Sequence, residues 1–462
     1  MNTLYKLLIF SGVLLSSCKK QDEFLKAVPN DVLVIPKTLN DLQLLLQNDA
    51  VFNQNDPVLR HASSDEFYVL SADWVRILGF NHNAYVWDKD TYAGAQSSDD
   101  WSYAYNEVYN ANIVLDALPT MERKANDGDK YNSIKGTALY FRSYTFYNLL
   151  QTFAQPYDSV SASSTLGIPL RLNSDLTGTS TRASLEQSYQ QTIADLKLAM
   201  SLLPSKSLNI EQPTSLAAEG LLARIYLIMG KYTEAFTHAN SVLSKYNALA
   251  DYSTFNEVNG RLTDSPFPLP EMLCLTTMQN VYFASYSKGI VDSVLYASYD
   301  SNDLRKTFFF QKVSNQIRFR GNYQFKQGGY FFDGVATDEL YLIRAECFAR
   351  LGNTAEAMAD INKLLKTRWR KNPDMTSTYV DMSAASPDEA LKIVLMERRK
   401  ELFFRGLRWS DLRRLNKDPR FAVTLTRFVN NTTYTLPPND PRYTFPIPQN
   451  EIDISGIQQN PR

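Results

Sequence analysis

Cys18 is the residue most plainly placed to do covalent chemistry. The stretch before it reads MNTLYKLLIFSGVLLSSC. Lys6 gives a short positive start, Leu7 to Leu15 an apolar run, and Leu15-Ser16-Ser17-Cys18 a small-residue cleavage site. The run is about nine residues, too short to span a bilayer and suited to the hydrophobic core of a signal peptide. Directly after the small residues, the Cys18 thiol is the nucleophile able to take a diacylglycerol as a thioether. Cleavage there leaves a lipidated N-terminus, and several acyl chains anchor a soluble body firmly. The plainer alternative is a secretory signal with a chance cysteine. Residues 1–17 are therefore expected to be a lipoprotein signal peptide and 18–36 a lipidated, polar tether.

Other chemical constellations are sparse. Asp99-Asp100 and Glu397 with Glu401 are carboxylate pairs of the kind a glycosidase needs, but the first pair reads as a helix start and the second sits among arginines. No nucleophile motif, phosphate loop or metal constellation stands out, so an enzyme is not expected, nor any cofactor or metal. His61, His82 and His238 form no ligand-spaced pair on one helix face. Cys347 falls on the apolar face of a predicted helix, which reads as a buried free thiol. A Cys274–Cys347 disulfide is the alternative.

The 462 residues carry 48 Lys plus Arg against 49 Asp plus Glu. That balance lacks the basic excess of a nucleic-acid binder. Composition is that of a globular protein with enough length for a large core. Aromatics deviate: 27 Tyr, 25 Phe and 5 Trp. Tyrosine in excess points to many half-exposed rings, because the hydroxyl needs water or a partner.

A helical pattern is predicted over 38–48, capped by Thr38 with Asp41 in the first turn. Further helices are predicted over 99–118, 130–153 and 184–203, the last with a Ser184/Gln187 capping box and a stop at Pro204. Residues 216–246 and 338–368 form an internal repeat at an offset of 122, matching Ala223 to Ala345, Tyr226 to Phe348, Gly230 to Gly352 and Glu234-Ala235 to Glu356-Ala357. That spacing is the tetratricopeptide helix pair. The small alanine allows close helix approach, the aromatic fills the gap, and glycine supplies the positive φ after the first helix. Residues 52–98 and 247–335 lack sustained periodicity and are rich in rings. A period-two run around Gly321, from Ile317 to Lys326, predicts a small β-hairpin. Long irregular segments inside a compact domain usually carry function.

The C-terminal third holds ERRKELFFRGLRWSDLR from Glu397 to Arg413, then FPIPQNE from Phe445 and QNP from Gln459. On a helix Glu397 faces Lys400 and Glu401 faces Arg405. The run reads as a brace of ion pairs tying helix to helix, with an anion site as the alternative. These motifs, with YLIRAECFARLG from Tyr341 to Gly352, Ser64-Asp65-Glu66, and Tyr299-Asp300 with Asp303 and Arg305, resemble the SusD/RagB family. Its members are surface lipoproteins that capture nutrients for TonB-dependent outer-membrane transporters in Bacteroidetes. The resemblance covers essentially the whole chain. One departure is Arg405, where the family commonly has glutamate before the glycine.

The resemblance implies a mainly α fold: a tetratricopeptide-like helix-pair frame (about 99–246 and 336–417) with a large, irregular, loop-rich ligand lobe (about 52–98 and 247–335) in a single SusD-like domain, 37–462. It implies an outer-membrane, lipid-anchored protein facing the cell exterior, a SusC-like TonB-dependent transporter as partner, and an oligo- or polysaccharide ligand. Sugars present C–H faces that planar rings cover and hydroxyl edges that Asp, Asn and Arg read. On location and ring type, Trp74, Trp87 and Tyr92 are the expected stacking rings. Asp65, Arg76 and Asn81 are the expected hydroxyl readers, and Tyr282 and Tyr286 second-loop contributors. Trp101 and Trp409 lie on helical motifs and are assigned to structure. A peptide ligand in the same role, or an envelope scaffold that binds no small ligand, are the competing readings.

Overall fold

Helix ends settle where side chains can satisfy free backbone groups. In the computed structural model, which describes residues 36–462 apart from 78, 208, 258–261, 263–266, 279–287, 322 and 324–329, helix Leu39–Leu46 opens on a reciprocal box. The Thr38 hydroxyl accepts from the Asp41 N–H and the Asp41 carboxylate accepts from the Thr38 N–H. Helix Leu185–Leu202 opens on the same device with Ser184 and Gln187. Helices Asp99–Ala117 and Gly128–Phe153 fall where the periodicity places them. Cys18 and the signal segment lie outside the described residues.

The repeat forms two helix pairs, Ser215–Ile228 with Tyr232–Lys245 and Thr337–Arg350 with Thr354–Lys366. Gly230 and Gly352 take φ of 72° and 88° at the two turns, as the motif requires. Tyr226 stacks on His238 within the first pair. Phe236 of that pair meets Phe348 of the second edge-on, with centroids 5.0 Å apart. Copies far apart in sequence are therefore neighbours in space, and the intervening segment leaves the frame and returns. Arg344 seals this junction with Asp360 and Asn240.

Strands occur only as two-stranded pairs among the described residues, so the fold is mainly helical. The predicted hairpin exists, but shifted. Phe310–Val313 pairs with Gln316–Phe319, and the turn is at Ser314, which has φ of 55°. The run from Ile317 supplies only the second strand. Gly321 instead lets the chain pass Phe309, whose Cα would lie 2.7 Å from an added Cβ. A second hairpin, Leu425–Val429 with Thr432–Leu436, turns at Asn430-Asn431 in positive φ.

Residues 52–98 hold short helices, among them Leu59–Ser63, Ser71–Trp74 and Phe80–Tyr85. Their rings are largely interior. Phe67, Trp74 and Tyr85 join Phe308, Phe309, Phe310, Phe319, Phe331 and Phe332 in an aromatic core distinct from that of the helical frame. Few ladders and many rings mean this lobe is held by ring packing. Cys274 and Cys347 are buried free thiols. Burial pushes the Cys274 thiol up to about 12.

Candidate functional site

The C-terminal motif builds the seam between frame and lobe. Helix Pro387–Glu401 ends at Glu401, so Arg405 is no longer one helical turn away. Glu401 turns instead to Arg305, at 2.9 Å, and Arg368, at 2.8 Å. Arg305 also reaches Asp303 at 2.7 Å and Glu397 at 2.6 Å. Lys400 does meet Glu397, at 2.8 Å. Arg405 pairs with Asp338 at 3.0 Å and lies over the Tyr323 and Phe332 rings. Phe403 and Phe404 enter the aromatic core of the lobe. Phe404 at φ 60° and Gly406 at φ 68° make the sharp exit.

Glu271, Asp338 and Glu401 bring carboxylate oxygens within 4.8 Å of one another. Arg368 bonds Glu271 and Glu401, and Arg405 bonds Asp338, so guanidinium charge already fills the place a cation would take.

Asp65 belongs to this seam. It takes Arg408 at 2.7 Å and Arg399 at 3.2 Å. Burial alone would raise its carboxyl, but those guanidiniums outweigh it and hold the group well below the usual carboxylate range. Glu66 accepts the Phe404 N–H at 2.7 Å. The acidic element thus clasps the C-terminal motif, and Asp65 is corrected from hydroxyl reader to clasp.

The rings fare similarly. Trp87 is 2 % exposed, donates its indole N–H to the Ser63 carbonyl and lies under the Arg427 guanidinium. Tyr92 is 6 % exposed, with its hydroxyl donating to the Pro446 carbonyl at 2.7 Å. Trp74 is also 6 % exposed, with His82 stacked at 3.9 Å on its ring. None presents a free ring face; each fills the interior of a segment that lacks regular ladders. Trp409 is buried too, donating to the Tyr443 carbonyl. Asn81 is half-buried, its Oδ1 inaccessible and without a donor. Tyr282 and Tyr286 lie outside the described residues.

Arg76 is exposed, and its surroundings form a rim where three segments meet. Phe67-Tyr68 pairs with Ile290-Val291. Asp73 takes Lys288 at 2.6 Å, and Ser71 accepts the Asn430 N–H at 2.9 Å. Tyr68, Leu70 and Val75 on this segment are exposed, as is Phe428, two residues before Asn430, at 66 %. Sequence reasoning missed these four. A signal existed for Phe428: in the alternating run Leu425–Val429 it takes the opposite phase to Leu425, Arg427 and Val429, which are buried.

Comparison with known proteins places the fold. A family model described as "Starch-binding associating with outer membrane" matches residues 20–227, and that of the SusD family matches 338–462. The SusD-like protein P2 of Formosa agariphila is 21 % identical over 397 residues, covering 73 % of this chain and 76 % of the relative. A SusD superfamily protein of Bacteroides vulgatus superposes with a TM-score of 0.70 at 20 % identity, covering 92 % of this chain and 99 % of its own. A SusD-like carbohydrate binding protein of the same organism gives 0.64 at 18 %, covering 91 % and 97 %. The surface glycan-binding protein A of Bacteroides uniformis gives 0.68 at 14 %, covering 91 % and 98 %. With both ends of the chain matched and the fold shared along nearly all of it, this chain belongs to the SusD/RagB family.

Proposed function

We propose that this chain is a surface lipoprotein, anchored through Cys18, that captures glycan and passes it to a partner TonB-dependent outer-membrane transporter. The observation that carries the reading is the rim. Exposed Tyr68, Leu70, Val75 and Phe428 offer apolar surface to sugar C–H faces, and exposed Arg76, next to Val75 in the chain, is available to read hydroxyls. Family membership and structural neighbours described as carbohydrate- or glycan-binding support it. A shallow rim gives weak, reversible capture, which suits handing ligand on. The carboxylate pair Glu397 and Glu401 is committed to structure, both being bonded to Arg305.

Native affinity electrophoresis against a polysaccharide panel tests the reading. Retardation by one glycan, weakened by Tyr68→Ala, Arg76→Ala or Phe428→Ala, is the expected result. Retardation by none, with tight binding of peptides instead, refutes the glycan ligand. Delivery is tested separately, by copurification of the transporter with the lipidated chain.

A further inference from the structure

Apart from the rim, a cleft of about 360 Å³ opens along helix Asp99–Ala117. Its floor is Tyr105 and Tyr109, half-buried on successive helical turns of one face; Trp101, one turn earlier, is buried against Tyr105 and Phe153. Four residues advance a helix by about 6 Å, so the two rings make a row about 6 Å long. One wall is the segment 171–180, and the other is helix Gln449–Ser455 through Glu451 and Ile454.

The wall is built, not draped. Buried Asn112 donates to the carbonyls of Arg171 and Asn173 at 2.9 and 3.0 Å. Asp116 accepts from both the N–H and the hydroxyl of Ser174, each at 2.7 Å. Arg171 folds back onto the carbonyls of Gly178 and Asp175, at 2.8 and 2.6 Å. Its guanidinium is thereby used to shape the segment. Leu176 and Ile454, at 71 % and 83 % exposed, form apolar lips.

What the cleft leaves unpaired identifies its ligand. Among the described residues the Tyr109 hydroxyl and the Glu451 carboxylate have no hydrogen-bond or ion-pair partner. Tyr105 is spoken for, donating to the Pro169 carbonyl at 2.9 Å. An acceptor and a hydroxyl that both donates and accepts, set beside a ring floor, match a chain of hydroxyls on apolar faces. An acidic ligand would face the unpaired Glu451 carboxylate. An extended peptide would need backbone carbonyls that Arg171 and Asn112 already occupy.

We propose that this cleft is a second binding site, for a neutral oligosaccharide, sharing no lining residue with the rim. Calorimetry of the whole chain with maltohexaose, cellohexaose, xylohexaose and laminarihexaose, and with acidic hexagalacturonate, tests it. One neutral hexasaccharide should bind, about tenfold more weakly after Tyr109→Ala and several-fold more weakly after Tyr109→Phe or Glu451→Gln. The two conservative variants keep the test valid where Tyr109→Ala fails to fold. Neutral binding untouched by all three cleft variants, preference for hexagalacturonate, or no neutral hexasaccharide bound overturns the site. Polysaccharide retardation surviving such a failure leaves the rim reading standing.

Discussion

Asp100→Asn isolates the electrostatic cost of fastening the helical frame to the lobe. Asp100 lies in the first turn of helix Asp99–Ala117 and accepts the Leu59 N–H at 2.9 Å. Burial raises its carboxyl. The N–H groups of Leu59 and Val58, and Arg60, pull it back, while Asp99 pushes the same way as burial. Burial wins, and the group titrates at about 6 against its ordinary 3.8. At about 1.4 kcal/mol per pH unit, that gap is about 3 kcal/mol. The folded state holds this proton where the unfolded state has lost it, so stability from this group falls as pH rises from about 4 to about 6. Above that window both states are ionised and the full cost of the buried charge remains.

The asparagine keeps an acceptor for Leu59 and cannot ionise. Urea unfolding of both proteins across that window should therefore show the variant gaining on the parent by about 3 kcal/mol as pH rises. Any misfit of the amide shifts the whole variant curve and leaves the difference in slope intact. Asp56, Glu107 and Asp333 are also raised, chiefly by burial. They slope both proteins alike and cancel in the comparison. Parallel curves, or a variant that loses ground as pH rises, would refute the reasoning.

Asp65→Ala strips the clasp from Arg408 and Arg399 and should destabilise by about 1–3 kcal/mol. Glycan retardation should persist while the variant is folded; loss of binding in a folded variant would return Asp65 to the ligand site. Gly334→Ala would put a Cβ 2.1 Å from the Cys274 carbonyl oxygen and 2.6 Å from the Phe332 ring. A cost of about 3 kcal/mol is expected, and an unchanged melting temperature would contradict the packing there. Arg305→Met leaves Asp303 and Glu397 buried without their main cation and should cost about 3–5 kcal/mol. A milder loss, under about 1 kcal/mol, would mean water reaches those carboxylates.

Helices were legible because their signals are local. Thr38/Asp41, Ser184/Gln187 and the glycines at 230 and 352 each act within a few residues, and each cap or turn forms as read. The repeat was legible because a helix pair carries its packing in its own spacing. Ion-pair partners were not: Glu401 finds Arg305 and Arg368, residues 96 and 33 positions away. Ring type was a poor guide to exposure for a related reason. A segment short of regular ladders needs large side chains to exclude water, so Trp74, Trp87 and Tyr92 were drawn inward. Exposure went to Arg76, Tyr68 and Phe428 instead, and only strand phase marked any of them.

That division of labour bears on how ligand preference can vary on this frame. Ring packing is adaptable and does not by itself fix where the lobe sits. Planar guanidiniums do, because their donors point in set directions. Arg408 holds Asp65, and Arg305 gathers Asp303, Glu397 and Glu401. Arg427 spans the carbonyls of Ala62, Ser64 and Tyr85 from the C-terminal hairpin. Every one of these arginines is at least three-quarters buried at the seam. Tyr68, Leu70, Val75 and Phe428 have side chains outside that set, pointing to solvent. Changes at those four side chains therefore leave the seam's ion pairs and carbonyl contacts in place, whereas changes at the seam arginines break contacts between segments far apart in the chain.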